Sequence, residues 1–283
     1  MRPEPGDKGV QVTREDVSAA LRGVGVVEGD TAMFHSSLSS MGTVVGGPET
    51  VIEGFLDAVG PSGTVAVPTL CNWAPGEQHL VFERWDPRTS PSYVGAITEA
   101  FRRRPDALRS DHATHSVAAI GARAAELTAN HGASGPRLGP YSPKAFAHES
   151  PWEKFRLWNA AYCFIGVTFH VNTMVHYVES LIVERALERA NPPARDELAD
   201  QVRGWMKPGV WPGITTDGRD RIEALLAAEG SVRYGKIGSA TLRCTRAGVM
   251  VDRWLAAAEA DPEGWFAPAF VQWLRRAEAG GEG

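Results

Sequence analysis

The run Asn172-Thr173-Met174-Val175-His176-Tyr177-Val178-Glu179 carries an imidazole and a carboxylate three positions apart. On a helix that spacing puts both on one face, where the carboxylate can orient the imidazole as a general base. Thr173, at the head of the run, has a hydroxyl and a backbone N–H that could meet a developing oxyanion. The same residues also describe an ordinary helix start, with Asn172 or Thr173 as cap and a His–Glu pair on a solvated face. Spacing alone leaves both readings open.

Two further segments are dense in donors. Arg109-Ser110-Asp111-His112-Ala113-Thr114-His115-Ser116 has two histidines three apart, but no third metal ligand stands at a convincing spacing and HExxH is absent. A loop rich in polar caps accounts for the same composition. In His35-Ser36-Ser37-Leu38-Ser39-Ser40-Met41-Gly42, followed by Gly46-Gly47-Pro48-Glu49, hydroxyls and glycine N–H groups lie just before a helix. They suit a phosphate or pyrophosphate cradle, or a serine-rich turn that caps its own helix. The segment is neither GxxxxGK(S/T) nor GxGxxG, and no GxSxG elbow occurs, so nucleotide hydrolysis, a Rossmann dinucleotide site and an α/β-hydrolase lack motif support.

The elements that must position these groups follow from periodicity and turn residues. Thr13-Arg14-Glu15-Asp16 opens a helix carrying Val17, Ala20, Leu21 and Val24, ended by Gly23 and Gly25. Thr31–Phe34 is a strand, Glu49–Val59 a helix, and Thr64–Pro68 a buried-type strand. This strand, loop, helix, strand order predicts an α/β layer fold with a partly parallel sheet. Thr69–Ser92 is a long loop holding Trp73, Phe82, Trp85 and Asp86, and loops of that length are usually functional. Tyr93–Arg103 reads as helix, His115–Ile120 as strand and Ala122–His131 as helix. Ala161–Ile165 is a central strand leading to a helix over Thr173–Arg189. Past Asn191-Pro192-Pro193 the pattern loosens, and helices return near Asp220–Ala228, Thr245–Glu259 and Glu263–Ala277.

The chain has 283 residues, 43% hydrophobic and 22% charged, which fits a soluble globular protein able to bury a core. Its net charge of −5 argues against a general nucleic-acid binder and leaves a cationic small molecule open as partner. Cys71, Cys163 and Cys244 offer neither a disulfide framework nor a CxxC site, which points to a reducing compartment. Charges and prolines near Met1 stand where a signal peptide would need an apolar run, and no stretch of about 18 apolar residues occurs. The expectation is a cytoplasmic protein without a membrane partner.

In order and spacing over residues 12–190, the segments resemble the aminoglycoside 3-N-acetyltransferases, or antibiotic N-acetyltransferases. The pieces are His35–Ser39 with Gly46–Ile52, Gly63-Thr64 through Pro68-Thr69, Trp85–Pro91, Arg109–His112, Ser116–Gly121, Ser150-Pro151, and Gly166-Val167 leading to Asn172-Thr173 and His176–Glu179. The resemblance implies one domain over residues 1–283, with a mixed sheet flanked by helices in a layered α/β fold unlike the GNAT one. The GNAT signature (Q/R)xxGx(G/A) is indeed missing; Arg22–Val27 comes close but lacks the last small residue.

It further implies acetyl transfer from acetyl-coenzyme A to the 3-amino group of an aminoglycoside or related amino-sugar antibiotic, with no metal. By position, His35, Ser36, Ser37, Ser39, Gly46 and Gly47 would hold the coenzyme A phosphates, with Arg109, Ser110 and Ser116 as further coenzyme-side contacts. His176 would be the base and Glu179 its orienting partner, with Thr173 the oxyanion donor and His112 in support. A base titrating near neutral pH suits an alkylammonium that must lose a proton before attack. Asp86 and Glu179 would face a cationic acceptor, and the negative charge should gather on that side. A homodimer is left open.

The sequence departs from the family at Gly166-Val167-Thr168-Phe169-His170, where many members read Gly-Val-Gly-His-Asp, and at Ala113, where the family often has Pro. Residues 191–230, where the family shapes its acceptor pocket, match weakly. Another amine acceptor or acyl donor in natural-product biosynthesis, or a non-catalytic acyl-coenzyme A or amine sensor, are the alternative readings.

Overall fold

The computed structural model describes residues 3–71, 77 and 80–279; Trp73 lies outside them. The first helix starts as its sequence dictates: the Thr13 hydroxyl accepts from Asp16 N–H while the Asp16 carboxylate accepts from Thr13 N–H, a capping box. That helix, α1 (Arg14–Gly23), follows the short strand β1 (Gln11–Val12) and precedes β2 (Thr31–Ser36), β3 (Thr43–Val44), α2 (Pro48–Val59) and β4 (Thr64–Pro68). Beyond the long loop come α3 (Ala96–Arg103), β5 (Leu108–Arg109), β6 (Val117–Gly121), α4 (Ala124–Thr128), α5 (Pro151–Leu157), β7 (Ala161–Ile165) and α6 (Met174–Arg189). The remainder is α7 (Pro192–Trp205), α8 (Thr216–Ala228), β8 (Arg233–Ile237), β9 (Ala240–Arg246), α9 (Ala247–Ala260), α10 (Pro262–Trp265) and α11 (Pro268–Ala279).

Among the described residues seven strands form one mixed sheet in the order β5-β6-β4-β2-β7-β9-β8, with β2 parallel to β4 and to β7 and the other pairs of this sheet antiparallel. Alternation along the central strands sorts the two faces. Ala32, Phe34, Ala161, Cys163 and Ile165 pack under α1, α2 and α3, where Phe34 stacks on Phe55 at 3.9 Å between centroids. Met33, Tyr162 and Phe164 face the other way, toward α6 and α9. Helix α6 is buried over most of its surface, in contact with α5, α7, α9 and α11, which explains why its apolar residues form no single stripe. Cys163 and Cys244 sit opposite each other on β7 and β9 as free thiols, sulfurs 3.2 Å apart.

The sheet and its flanking helices agree with the expected fold class; several element boundaries do not. β8 and β9 form a hairpin through Gly238-Ser239, so the helix expected from Thr245 begins two residues later. A Cβ at Gly238, whose φ is +57°, would collide with the Met41 carbonyl. Asn191 caps α7 by accepting from Ala194 N–H, with Pro192 and Pro193 in its first turn, so the loosened stretch begins as a helix. Pro268 splits the expected last helix into α10 and α11. Among the described residues no helix is long and apolar enough to cross a membrane.

Candidate active site

In open α/β sheets ligands bind beyond the carboxyl ends of parallel strands, where the strand order turns from one direction to the other. Here β2 is that point, with β4 on one side and β7 on the other. A cavity of about 930 Å³ opens there, lined by residues that follow these strands: Ser36 and Ser37, Pro68 and Leu70, and Val167 through His176 in part. Three helices also begin at its wall. Gly47 heads α2, Gly95 heads α3 and Thr173 heads α6, so the positive dipole ends of three helices are brought to one space.

His176 lies one turn into α6 and lines the cavity. Its Nδ1 is 2.7 Å from Glu179 Oε2. A carboxylate only accepts, so Nδ1 carries the proton and Nε2 is the nitrogen left for a reactant. Glu179 is fully buried and accepts two more hydrogen bonds, from Trp211 Nε1 at 2.7 Å and from the Ile214 N–H at 2.6 Å. The pair is therefore not the solvated surface pair that spacing also allowed. His115, Tyr141 and Phe146 surround the imidazole, at 5.8, 6.2 and 6.1 Å between ring centroids. Asn172 is the capping side chain, its Oδ1 accepting from Met174 N–H, while Thr173 borders the cavity.

Of the residues expected at a site, the cavity gathers His35, Ser36, Ser37, Ser39, Gly47, Thr173 and His176. Burial holds His35 neutral, down to about 3, with Nε2 against the Tyr162 hydroxyl at 2.9 Å. Gly46 does not line the cavity; it makes the turn into α2, with φ +85°. Arg109 is drawn inward, its guanidinium donating to Thr69 Oγ1 and to the Thr69, Ser90 and Pro87 carbonyls, so it ties the long loop to the sheet. Ser110 and Ser116 are fully buried, Ser110 bonding His131 and the Val117 N–H, and Ser116 the Thr69 carbonyl. Asp86 closes its own turn by accepting from Arg88 N–H.

His112 also stands behind the wall. It stacks on His131 at 4.9 Å, accepts from the His115 N–H and leaves Nε2 buried without a partner among the described residues. His115 faces the cavity in its place, and burial, then His112, His176 and His131, keep it neutral well below the ordinary histidine range. Reading the sequence also missed Tyr141, whose φ of +65° is unusual for a side chain of that size, and Arg219, on α8. Arg219 donates from Nη1 to the His170 carbonyl at 3.0 Å, and its Nε is buried with no partner among the described residues.

The altered family positions have a packing role: Phe169 is fully buried and stacks on Phe164 at 4.3 Å between centroids. The expected gathering of negative charge is not seen, because no carboxylate among the described residues lines the cavity. Acidic groups instead pair with arginines elsewhere, as Glu49, Glu53 and Asp106 do around Arg104. Among the described residues no three His, Cys, Asp or Glu side chains are placed to hold a metal ion.

The family profile described as aminoglycoside 3-N-acetyltransferase matches residues 33–258, from β2 into α9. The chain belongs to the aminoglycoside 3-N-acetyltransferase family. It is 31% identical over 270 residues to aminoglycoside N(3)-acetyltransferase VII of Streptomyces paromomycinus, covering 85% of this chain and 89% of that one. Among solved structures, AAC-VIa bound to sisomicin superposes with a TM-score of 0.66 at 26% identity, over 88% of this chain and 97% of that one. AAC-IIIb in binary complex with CoASH shares the fold, with a TM-score of 0.68 at 22% identity over 91% and 98%. Membership in this N-acetyltransferase family makes the protein an acyltransferase, and the dyad, the cavity floor and the segment over Glu179 all lie within the matched range.

Proposed function

We propose that the protein transfers the acetyl group of acetyl-coenzyme A to an amino group of an aminoglycoside or related amino-sugar, at the 3-amino position by family. The observation that carries this is the His176–Glu179 pair, buried on its carboxylate side and open on its Nε2 side, in a cavity where three helix N-termini meet. Relatives named N(3)-acetyltransferases and the complexes of AAC-VIa with sisomicin and of AAC-IIIb with CoASH support it. Gly47, Ser37, Ser39 and the start of α3 offer hydroxyls and N–H groups suited to the phosphates of the donor.

In this reading the amine lone pair attacks the thioester carbonyl carbon while His176 Nε2 takes an N–H proton. Glu179 stabilises the imidazolium that forms. Negative charge on the carbonyl oxygen is met near the head of α6, where Thr173 borders the cavity with its hydroxyl and the helix presents its positive dipole end. Collapse breaks the C–S bond, and the departing thiolate takes the proton back from Nε2. His115, held neutral by burial, adds no competing charge beside the base.

His176→Ala is expected to lower kcat by about 10²–10⁴-fold while calorimetry finds coenzyme A binding unchanged; retained turnover would overturn the assignment. A second reading, with a less cationic amine as acceptor, is favoured by Arg219 and by the lack of a carboxylate among the described lining residues. Thiol release with kanamycin-type, gentamicin-type and simple amines separates the two by which acceptor gives the higher kcat/KM.

A further inference from the structure

We propose that Trp211 is a positioning residue for the reaction, acting through Glu179 on the basicity and aim of His176. The inference rests on His176 being the base, as proposed above. Trp211 does not line the cavity, so it has no direct route to a substrate there. Its indole N–H and the His176 Nδ1–H meet the same oxygen, Glu179 Oε2, each at 2.7 Å, while the Ile214 N–H takes Oε1. Glu179 thus sits fully buried with three N–H donors, and no Arg or Lys pairs with it among the described residues. Neutral donors satisfy the charge without cancelling it, leaving the carboxylate able to hold an imidazolium.

The chain is shaped around that carboxylate. A Cβ at Gly213 would overlap both Glu179 Oε1 and Trp211 Nε1, so the backbone approaches as closely as only glycine allows. The segment is then pinned from behind. Ile214 bridges Phe266, the Thr215 N–H donates to the Trp265 carbonyl at 2.9 Å, and the Ala267 N–H donates to the Gly213 carbonyl at 3.2 Å. The Trp211 ring packs edge-on against Trp205 and Phe270. Residues 211–214 therefore form a strap whose inner side is a set of N–H groups aimed at Glu179.

Two donors on one oxygen compete for its electron density. Without the indole N–H, Oε2 becomes a stronger acceptor for His176 and holds its protonated form more firmly, while the carboxylate loses one fixed direction. The other polar groups facing the imidazole are His115 from the loop before β6, Tyr141 from the loop before α5, and Arg219 of α8 across the cavity. None of them is altered by a change at position 211.

Trp211→Phe keeps the aromatic packing and removes only the donor. Its kcat is expected to fall about tenfold with KM for acetyl-coenzyme A unchanged, and the acid limb of its pH–rate profile to move up by about half a pH unit or more. The midpoint of the His176 Cε1–H titration, followed by NMR and assigned by its loss in His176→Ala, should move the same way without any turnover. Gly213→Ala, which keeps the indole but crowds both it and Glu179 Oε1, should also lower kcat with KM for acetyl-coenzyme A unchanged. A Trp211→Phe profile and titration that superimpose on the parent's would overturn the positioning role alone. Turnover retained by His176→Ala, with the titration shift still present, would instead sink the base and with it the catalytic meaning of the strap.

Discussion

Glu179 concentrates the chemistry of this chain into one buried side chain. Glu179→Gln turns one acceptor oxygen into an N–H donor while Trp211, Ile214 and His176 all still donate, so at least one N–H is left facing another. We expect that variant to lose on the order of 1–3 kcal/mol in urea unfolding and about 10²–10⁴-fold in kcat. Near-parental values in both measurements would mean that the carboxylate is dispensable. Half of this arrangement is legible in the sequence, because an i,i+3 pair on a helix must share a face. The other half is not, since Trp211 and Ile214 come from 32 and 35 residues away. Likewise no spacing rule says that His115, rather than His112, reaches the cavity; the turn that carries them decides it.

At the scale of elements, the cavity owes its positive wall to where three helices begin. Gly95 heads α3 at φ +137°, with nothing within 4 Å of where a Cβ would stand, so an alanine there is opposed by backbone conformation and not by crowding. Gly95→Ala is expected to cost about 1–3 kcal/mol and to displace the first N–H groups of α3, raising KM for acetyl-coenzyme A more than it changes kcat. Steady-state kinetics against both substrates checks this, and a rise confined to the KM of the amine would contradict it. The strands that floor the cavity, β2, β4 and β7, are readable as short apolar runs between turn residues. The β8–β9 hairpin escapes the sequence reading, although Ala240, Leu242 and Cys244 alternate inward after Gly238-Ser239, because two glycines and scattered charge mask it. Where each helix starts is harder, since Gly95 and Pro268 move the boundaries by their backbone preferences.

Over the whole molecule, burial of neutral histidines ties stability to pH. Burial lowers His35 to about 3 and His131 to about 4, against which a hydrogen bond to the Ala145 carbonyl works only partly for His131. Unfolded, both take up protons as pH drops below about 6.5, whereas folded they do not, so the unfolded state binds more protons and stability falls. These two groups alone should remove roughly 2 kcal/mol between pH 6.5 and 5.5, a window above the carboxylate range. Urea unfolding at the two pH values measures it; equal free energies would mean that these imidazoles are not held neutral. The net charge of −5 does not bear on the cavity in the way its sign suggested, because no carboxylate among the described residues lines it. The bridge between Ile214 and Phe266 has a consequence for the order of synthesis. Phe266 is made roughly fifty residues after Ile214, several seconds later at ~5–20 residues per second, so a nascent chain can hold its sheet and His176 before the strap has anything to lean on. Activity should then arrive with the last helices, and a late frameshift or premature stop would leave Glu179 without its supported strap.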